Sequence, residues 1–398
     1  MDLLAYSVLL LNLAHENRYD DRSCYLSANF ATMSADTRTR VVFCYPLVNP
    51  YMAACWRELA KQPSIDLFVI GFEANSSDLV AFKSDVMRGV PSRLLAGNER
   101  SDPYLTADLV AEYCPDILFI SGWSEPPFKN LYFDKRLINI PKILMMDNQL
   151  RRDFRQLVGS IILQPLLNRV NRVFVTGERS WQFARYLGIS ESRIYRGVVS
   201  VDYRSLSSIY DERIANLTGW PKTFFFAGRY HERKALDVLV DAYVQYRSNH
   251  ADPWQLITAG MGPMAHILSD VEGVSDLGFV HPGEMRKCWQ EAGVFVIPSR
   301  FDAWPLVIVE AAATGLPVIA TESCGSTVEN VRHLFNGYLV PTGDATRLAN
   351  ALAWMHDNYE RLPTFGARSR QLAAAYGTDI CVDLVVQIIG SLTGCYPL

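Results

Sequence analysis

Four charged residues in the second half of the chain have the types and spacing to do chemistry. Arg229 and Lys234 lie in "AGRYHERKA", and Asp302 and Glu310 lie in "PSRFDAWPLVIVEAAATGLPVIA". Gly228 and Arg229 follow the apolar run "TFFFA", which reads as a strand, and Lys234 precedes Leu236, Leu239, Val240 and Tyr243, which have helical spacing. A strand end, a helix start and two cations together suit an anion, most simply a diphosphate. The alternative is a pair of solvated loop charges. Asp302 falls in the loop after the strand "VFVIPS". Glu310 falls about a turn and a half inside a helix expected from Pro305 to Ala313, where proline at the first position loses no hydrogen bond. A carboxylate among apolar neighbours is costly unless it accepts hydrogen bonds, and a sugar diol offers two donors. A glutamate paired to an arginine would meet the same need.

In the first half, polar residues cluster after apolar runs. Asn49 and Tyr51 follow "RVVFCYP", Trp123 and Glu125 follow "ILFISG", and Asp147, Asn148 and Gln149 follow "KILMM". In open α/β sheets ligands sit beyond the carboxyl ends of the strands, so these positions are the candidates for acceptor or sugar contacts. Each one taken singly also fits a structural role.

The elements that must position these groups follow a βαβ grammar. Apolar strand-like runs alternate with helical stretches from Arg40 to "GVVSVDY", and the pattern restarts at "TFFFAGRY". A chain of 398 residues is too long for one ordinary core. The expected fold class is α/β, with two Rossmann-like, doubly wound parallel-sheet domains facing a central cleft. The expected divisions are an appended segment at 1–38, holding one amphipathic helix, a first domain at 39–203, a second at 204–376, and an apolar C-terminal helix at 377–398 that crosses back to the first domain. No G-x-G-x-x-G follows the first strand of either half, which argues against a dehydrogenase.

The order and spacing of "AGRYHERKA", "ITAGMGP", "LGFV", "VFVIPSRFDAWPLVIVEAAATGLPVIA" and "CGSTVENVRHLFNGYLVPTGD" resemble the C-terminal domain of the family 4 retaining glycosyltransferases of the GT-B fold. The resemblance covers residues 222–355 closely and the first half loosely. It implies transfer of a sugar from a nucleotide-sugar donor, with Gly228, Arg229, Lys234, Gly260, Asp302, Leu306, Val307 and Glu310 at the donor. Within that set it gives Arg229 and Lys234 to the diphosphate, Asp302 to the sugar hydroxyls and Glu310 to the ribose. The family's scheme needs no metal cofactor, and the chain contains no Asp-x-Asp triplet. It implies a glycan or lipid-linked acceptor and a role in surface polysaccharide synthesis. Asp302 stands where the family usually has Glu, Pro305 and Ala235 each replace a usual Gly, and the Gly-Gly loop after the first strand is missing. An epimerase or hydrolase acting on nucleotide sugars, and a non-catalytic nucleotide-sugar binding module, are the rival functions on the same fold.

A formal charge of −4 gives no overall attraction to nucleic acid, and none is expected as a partner. Between Lys129 and Arg204, however, 14 basic residues face 6 acidic ones. There "QLRRDFRQLVGSIILQPLL" sets arginines beside an apolar run, which suits either an anionic membrane surface or a solvated basic face beside a buried one. Eight scattered cysteines without metal-like spacing, and an apolar start too short to cross a bilayer, lead to the expectation of a cytoplasmic protein without a signal peptide, peripheral to the inner face of the membrane if it touches one.

Overall fold

The computed structural model describes residues 38–73, 84–215 and 219–394. The amphipathic helix expected within 1–38 lies outside them, Arg38 apart. Seven strands form the first sheet: β1 (Thr39–Leu47), β2 (Ile65–Phe72), β3 (Ser92–Leu95), β4 (Ile117–Ser121), β5 (Lys142–Met146), β6 (Arg172–Val175) and β7 (Ile194–Arg196). Their order is β3-β2-β1-β4-β5-β6-β7, and every pairing is parallel. The second sheet holds β8 (Thr223–Ala227), β9 (Gln255–Ala259), β10 (Val274–Asp276), β11 (Val294–Ile297), β12 (Val318–Thr321) and β13 (Gly337–Val340), ordered β10-β9-β8-β11-β12-β13 and again all parallel. This is the doubly wound pair of Rossmann-like domains that the strand grammar predicts.

Unbroken apolar strands require cover on both faces, and alternation along each strand assigns its residues to one face or the other. In the first sheet Val42, Cys44, Leu118, Ile120 and Leu144 enter one core, and Val41, Phe43, Ile117, Phe119 and Ile143 enter another. The second core is shared with Met52 and Trp56 of α1 (Pro50–Leu59). In the second sheet Phe224, Phe226, Val294 and Val296 face one way, and Phe225, Ala227, Phe295 and Ile297 face the other. The helices that bear on the site are α2 (Phe154–Ile162), α3 (Leu236–Ser248) and α4 (Leu306–Ala313). The last helix, α5 (Thr378–Thr393), lays Val382, Val385, Ile388 and Ile389 on the first-half core, and Cys381 Sγ lies 3.3 Å from Cys55 Sγ of α1. The chain order reverses between β1 and β4 and between β8 and β11, so each sheet has a crevice at the carboxyl ends of those strands.

Candidate functional site

The crevice of the second sheet opens into a cavity of about 710 Å³. All eight positions expected at the donor line it: Gly228, Arg229, Lys234, Gly260, Asp302, Leu306, Val307 and Glu310. Gly260 has a steric reason to be glycine, since a Cβ there would stand 1.9 Å from the carbonyl oxygen of Gly228 and against the Tyr230 ring. The ends of β8 and β9 close together at that point. After β8 the chain makes a single turn, Glu232–Lys234, and enters α3 through Ala235, whose φ of 54° is left-handed. Glycine is favoured in that conformation, and alanine holds it against a steric cost.

Lys234 Nζ and Asp302 Oδ2 lie 2.5 Å apart, with their side chains 21% and 19% exposed. Two residues that the family resemblance gives to different parts of a ligand therefore neutralise each other on the cavity wall. The Asp302 loop is held from the first half of the chain. Gln149 Nε2 donates to the carbonyl oxygens of Asp302 at 2.6 Å and Ala303 at 2.9 Å. The Gly325 N–H donates to Asp302 O at 2.9 Å, and a Cβ on Gly325 would strike Ala303 O.

Glu310 sits in the second turn of α4, which begins at Leu306. Pro305 is the residue before the helix rather than its first member. Its carbonyl accepts from the Ile308 N–H at 3.1 Å and the Ser326 hydroxyl at 3.0 Å, which holds the helix start in place. Burial pushes the Glu310 carboxyl up from 4.5 to about 7, and a hydrogen bond with Tyr51 opposes that rise. Tyr51 belongs to α1 in the other half, so the contact spans the cleft. The charge of Glu310, then burial, raise the phenol well above its usual value, as expected of a hydroxyl donating to a carboxylate.

A smaller cavity of about 250 Å³ lies at the carboxyl ends of the first sheet, and Trp123, Glu125, Asp147 and Asn148 line it. Asp147 is accessible at its mouth, yet the surrounding walls raise its pKa, and the Asp302 charge adds to the rise. Asn49 and Gln149 stand outside this cavity. Asn49 caps α1 by accepting from the Met52 N–H at 2.9 Å, while Gln149 is the tether to the Asp302 loop. Trp304 lines both cavities, and its indole N–H is buried with no acceptor among the described residues. Sequence reasoning overlooked Trp304 in this role, although its place between Asp302 and Pro305 was the available signal. Among the described residues no group of three or more His, Cys, Asp or Glu could hold a metal ion.

Residues 221–358 match the family model described as "Glycosyl transferases group 1". Phosphatidyl-myo-inositol mannosyltransferase of Mycobacterium leprae is 30% identical over 223 residues, which are 53% of this chain and 56% of that protein. D-inositol 3-phosphate glycosyltransferase 1 of Catenulispora acidiphila is 27% identical over 235 residues, 54% of this chain and 56% of the relative. The chain thus spans little more than half the length of these curated relatives. Among solved structures, Anabaena Alr3699/HepE in complex with UDP-glucose superposes with a TM-score of 0.68 at 19% identity, covering 90% of this chain and 100% of that one. Sucrose-phosphate synthase from Thermosynechococcus elongatus does so with a TM-score of 0.70 at 15% identity, covering 90% and 100%. The fold is GT-B, and the second half resembles the glycosyl transferases group 1.

Proposed function

We propose that this protein is a retaining glycosyltransferase that moves a sugar from a nucleotide-sugar donor to a glycan or lipid-linked acceptor. The observation that carries this is the cavity of about 710 Å³, where two cations, two carboxylates and the start of α4 converge and Tyr51 reaches in from the first half. That donor set suits a nucleoside diphosphate sugar: Arg229, Lys234 and the helix start at the phosphates, Asp302 at sugar hydroxyls, and Glu310 at the ribose diol. Cations and helix N–H groups aimed at the departing diphosphate favour the transition state as the glycosidic bond lengthens. No metal is needed for that charge.

Retention follows if the acceptor oxygen attacks from the face the diphosphate leaves. The bond from the anomeric carbon to the phosphate oxygen breaks, the bond to the acceptor oxygen forms, and the leaving oxygen takes the acceptor proton. The smaller cavity, with Trp123, Asp147 and Asn148, is the acceptor side, and Trp304 stands between donor and acceptor. Lys234 has three N–H donors, so it can keep Asp302 while turning another toward phosphate. The enzyme would act in the cytoplasm, at the inner face of the membrane, in surface polysaccharide synthesis.

The test is product formation. Purified chain with labelled UDP-glucose, and in turn other nucleotide sugars, should yield glycosylated acceptor in an extract of lipid-linked or polysaccharide acceptors, with the anomeric configuration kept. Free sugar alone would indicate a hydrolase, an isomerised donor an epimerase, and tight donor binding without turnover a binding module.

A further inference from the structure

Helix α2 is built inside out. It contains no buried residue, and four of its apolar side chains are exposed: Phe154 at 73%, Leu157 at 51%, Ile161 at 69% and Ile162 at 50%. Positions i, i+3, i+7 and i+8 share one helix face, so these four make a continuous apolar stripe. Gln156, Gly159 and Ser160 are half-buried on the other side, and Val158, at i+4, is half-buried within the stripe. Gln156 anchors the helix there: its Oε1 accepts from the N–H groups of Arg151 at 2.7 Å and Arg152 at 3.0 Å, and its Nε2 donates to Gln149 O at 2.7 Å. A helix that packs by its polar side and offers its apolar side to solvent is made for another surface.

The geometry points to an anionic lipid bilayer as that surface, with α2 lying in its interface. Charge selects this occupant. Arg151, Arg152 and Arg155 are exposed around the start of the stripe, and none enters an ion pair among the described residues. The whole region from Lys129 to Arg204 carries 14 basic against 6 acidic residues. An apolar stripe bordered by arginines matches acyl chains beneath lipid phosphates. No helix among the described residues is long and apolar enough to cross a membrane, and α2, nine residues long, fits an interfacial contact. The docked helix is also wired to the candidate site. Gln156 holds Gln149, which holds the Asp302 loop, and the Arg151 guanidinium lies 3.8 Å from the centroid of the neighbouring Phe301 ring. Docking would bring a lipid-linked acceptor beside the cleft. Only that last clause rests on the transferase reading, since the docking itself requires no catalysis.

The experiment is co-sedimentation of the full chain with vesicles of phosphatidylcholine alone and of equal parts phosphatidylcholine and phosphatidylglycerol. The wild type should pellet with the anionic vesicles and remain in solution with the neutral ones. Leu157→Ser with Ile161→Ser should weaken partitioning at least about tenfold. Arg152→Gln and Arg155→Gln should each weaken it roughly fivefold, and added salt should do likewise. Val244→Ser, at a residue 51% exposed on α3, is the control and should bind as wild type. Unchanged melting temperatures show that the variants are folded. Failure of the wild type to pellet with anionic vesicles would overturn the proposal. So would full binding by the serine variant, or a concentration-dependent dimer that this variant abolishes, which would make a second copy the partner. Nucleotide binding measured on the same preparations tells a failed docking surface from a failed transferase.

Discussion

Raising the pH through neutrality should cost the ligand-free protein stability, because Glu310 holds its proton in the folded state long after the unfolded chain has lost it. Its pKa rises from 4.5 to about 7 on burial. For a raised pKa the stabilising contribution is complete below the unfolded value and is lost as pH climbs through the folded one. At about 1.4 kcal/mol per pKa unit, the whole effect is at most about 3–4 kcal/mol, and the wet cavity beside the carboxyl reduces it. The assay is urea unfolding of wild type and Glu310→Gln from pH 4 to 8.5. The glutamine keeps a neutral group of the same shape, so the stability of wild type minus variant should fall between pH 4.5 and pH 7 and be flat outside that window. A nucleotide whose ribose hydroxyls donate to the ionised carboxylate should reverse this. Its affinity for wild type should rise with pH and level off above 7, while the variant shows only the titration of the phosphate. A stability difference that is flat across the whole range would refute the burial argument.

Three further outcomes follow from the same geometry. Lys234→Met should lower kcat by about 100- to 1,000-fold through loss of a cation at the leaving group, with product formation as the readout. Gln149→Ala removes both hydrogen bonds to the Asp302 loop; it should destabilise the fold by about 1–3 kcal/mol in chemical unfolding and raise KM for the donor. Ala235→Gly relieves a left-handed alanine and should stabilise the protein by about 1 kcal/mol, visible as a higher melting temperature.

The two sheets were legible because buried parallel strands must be apolar along their whole length, as in "TFFFA" and "VFVI". That the eight positions would line one cavity was legible because a strand end and a helix start announce themselves locally, in glycines, in Pro305 and in the charges beside them. What the sequence did not disclose is pairing across the cleft. Nothing in the period around Tyr51 says that its hydroxyl meets Glu310, and "MMDNQ" reads equally well as hydroxyl-binding groups or as a tether. Gln149 proves to be spent on backbone carbonyls while Asp147 and Asn148 line the smaller cavity. The Lys234 and Asp302 charges were each visible, but their union depends on how two loops of the second sheet fold back on each other. Such contacts are set by docking, which leaves no local pattern.

The central claim is that the cavity between the halves is a nucleoside diphosphate site with Glu310 at the ribose. Calorimetric titration of UDP, GDP, ADP and CMP into wild type and Glu310→Ala tests it most directly. One nucleotide should bind the wild type and do so at least about tenfold more weakly to the variant, the loss expected of a charge-assisted hydrogen bond. Absence of binding by all four, or equal binding by the variant, would contradict the account.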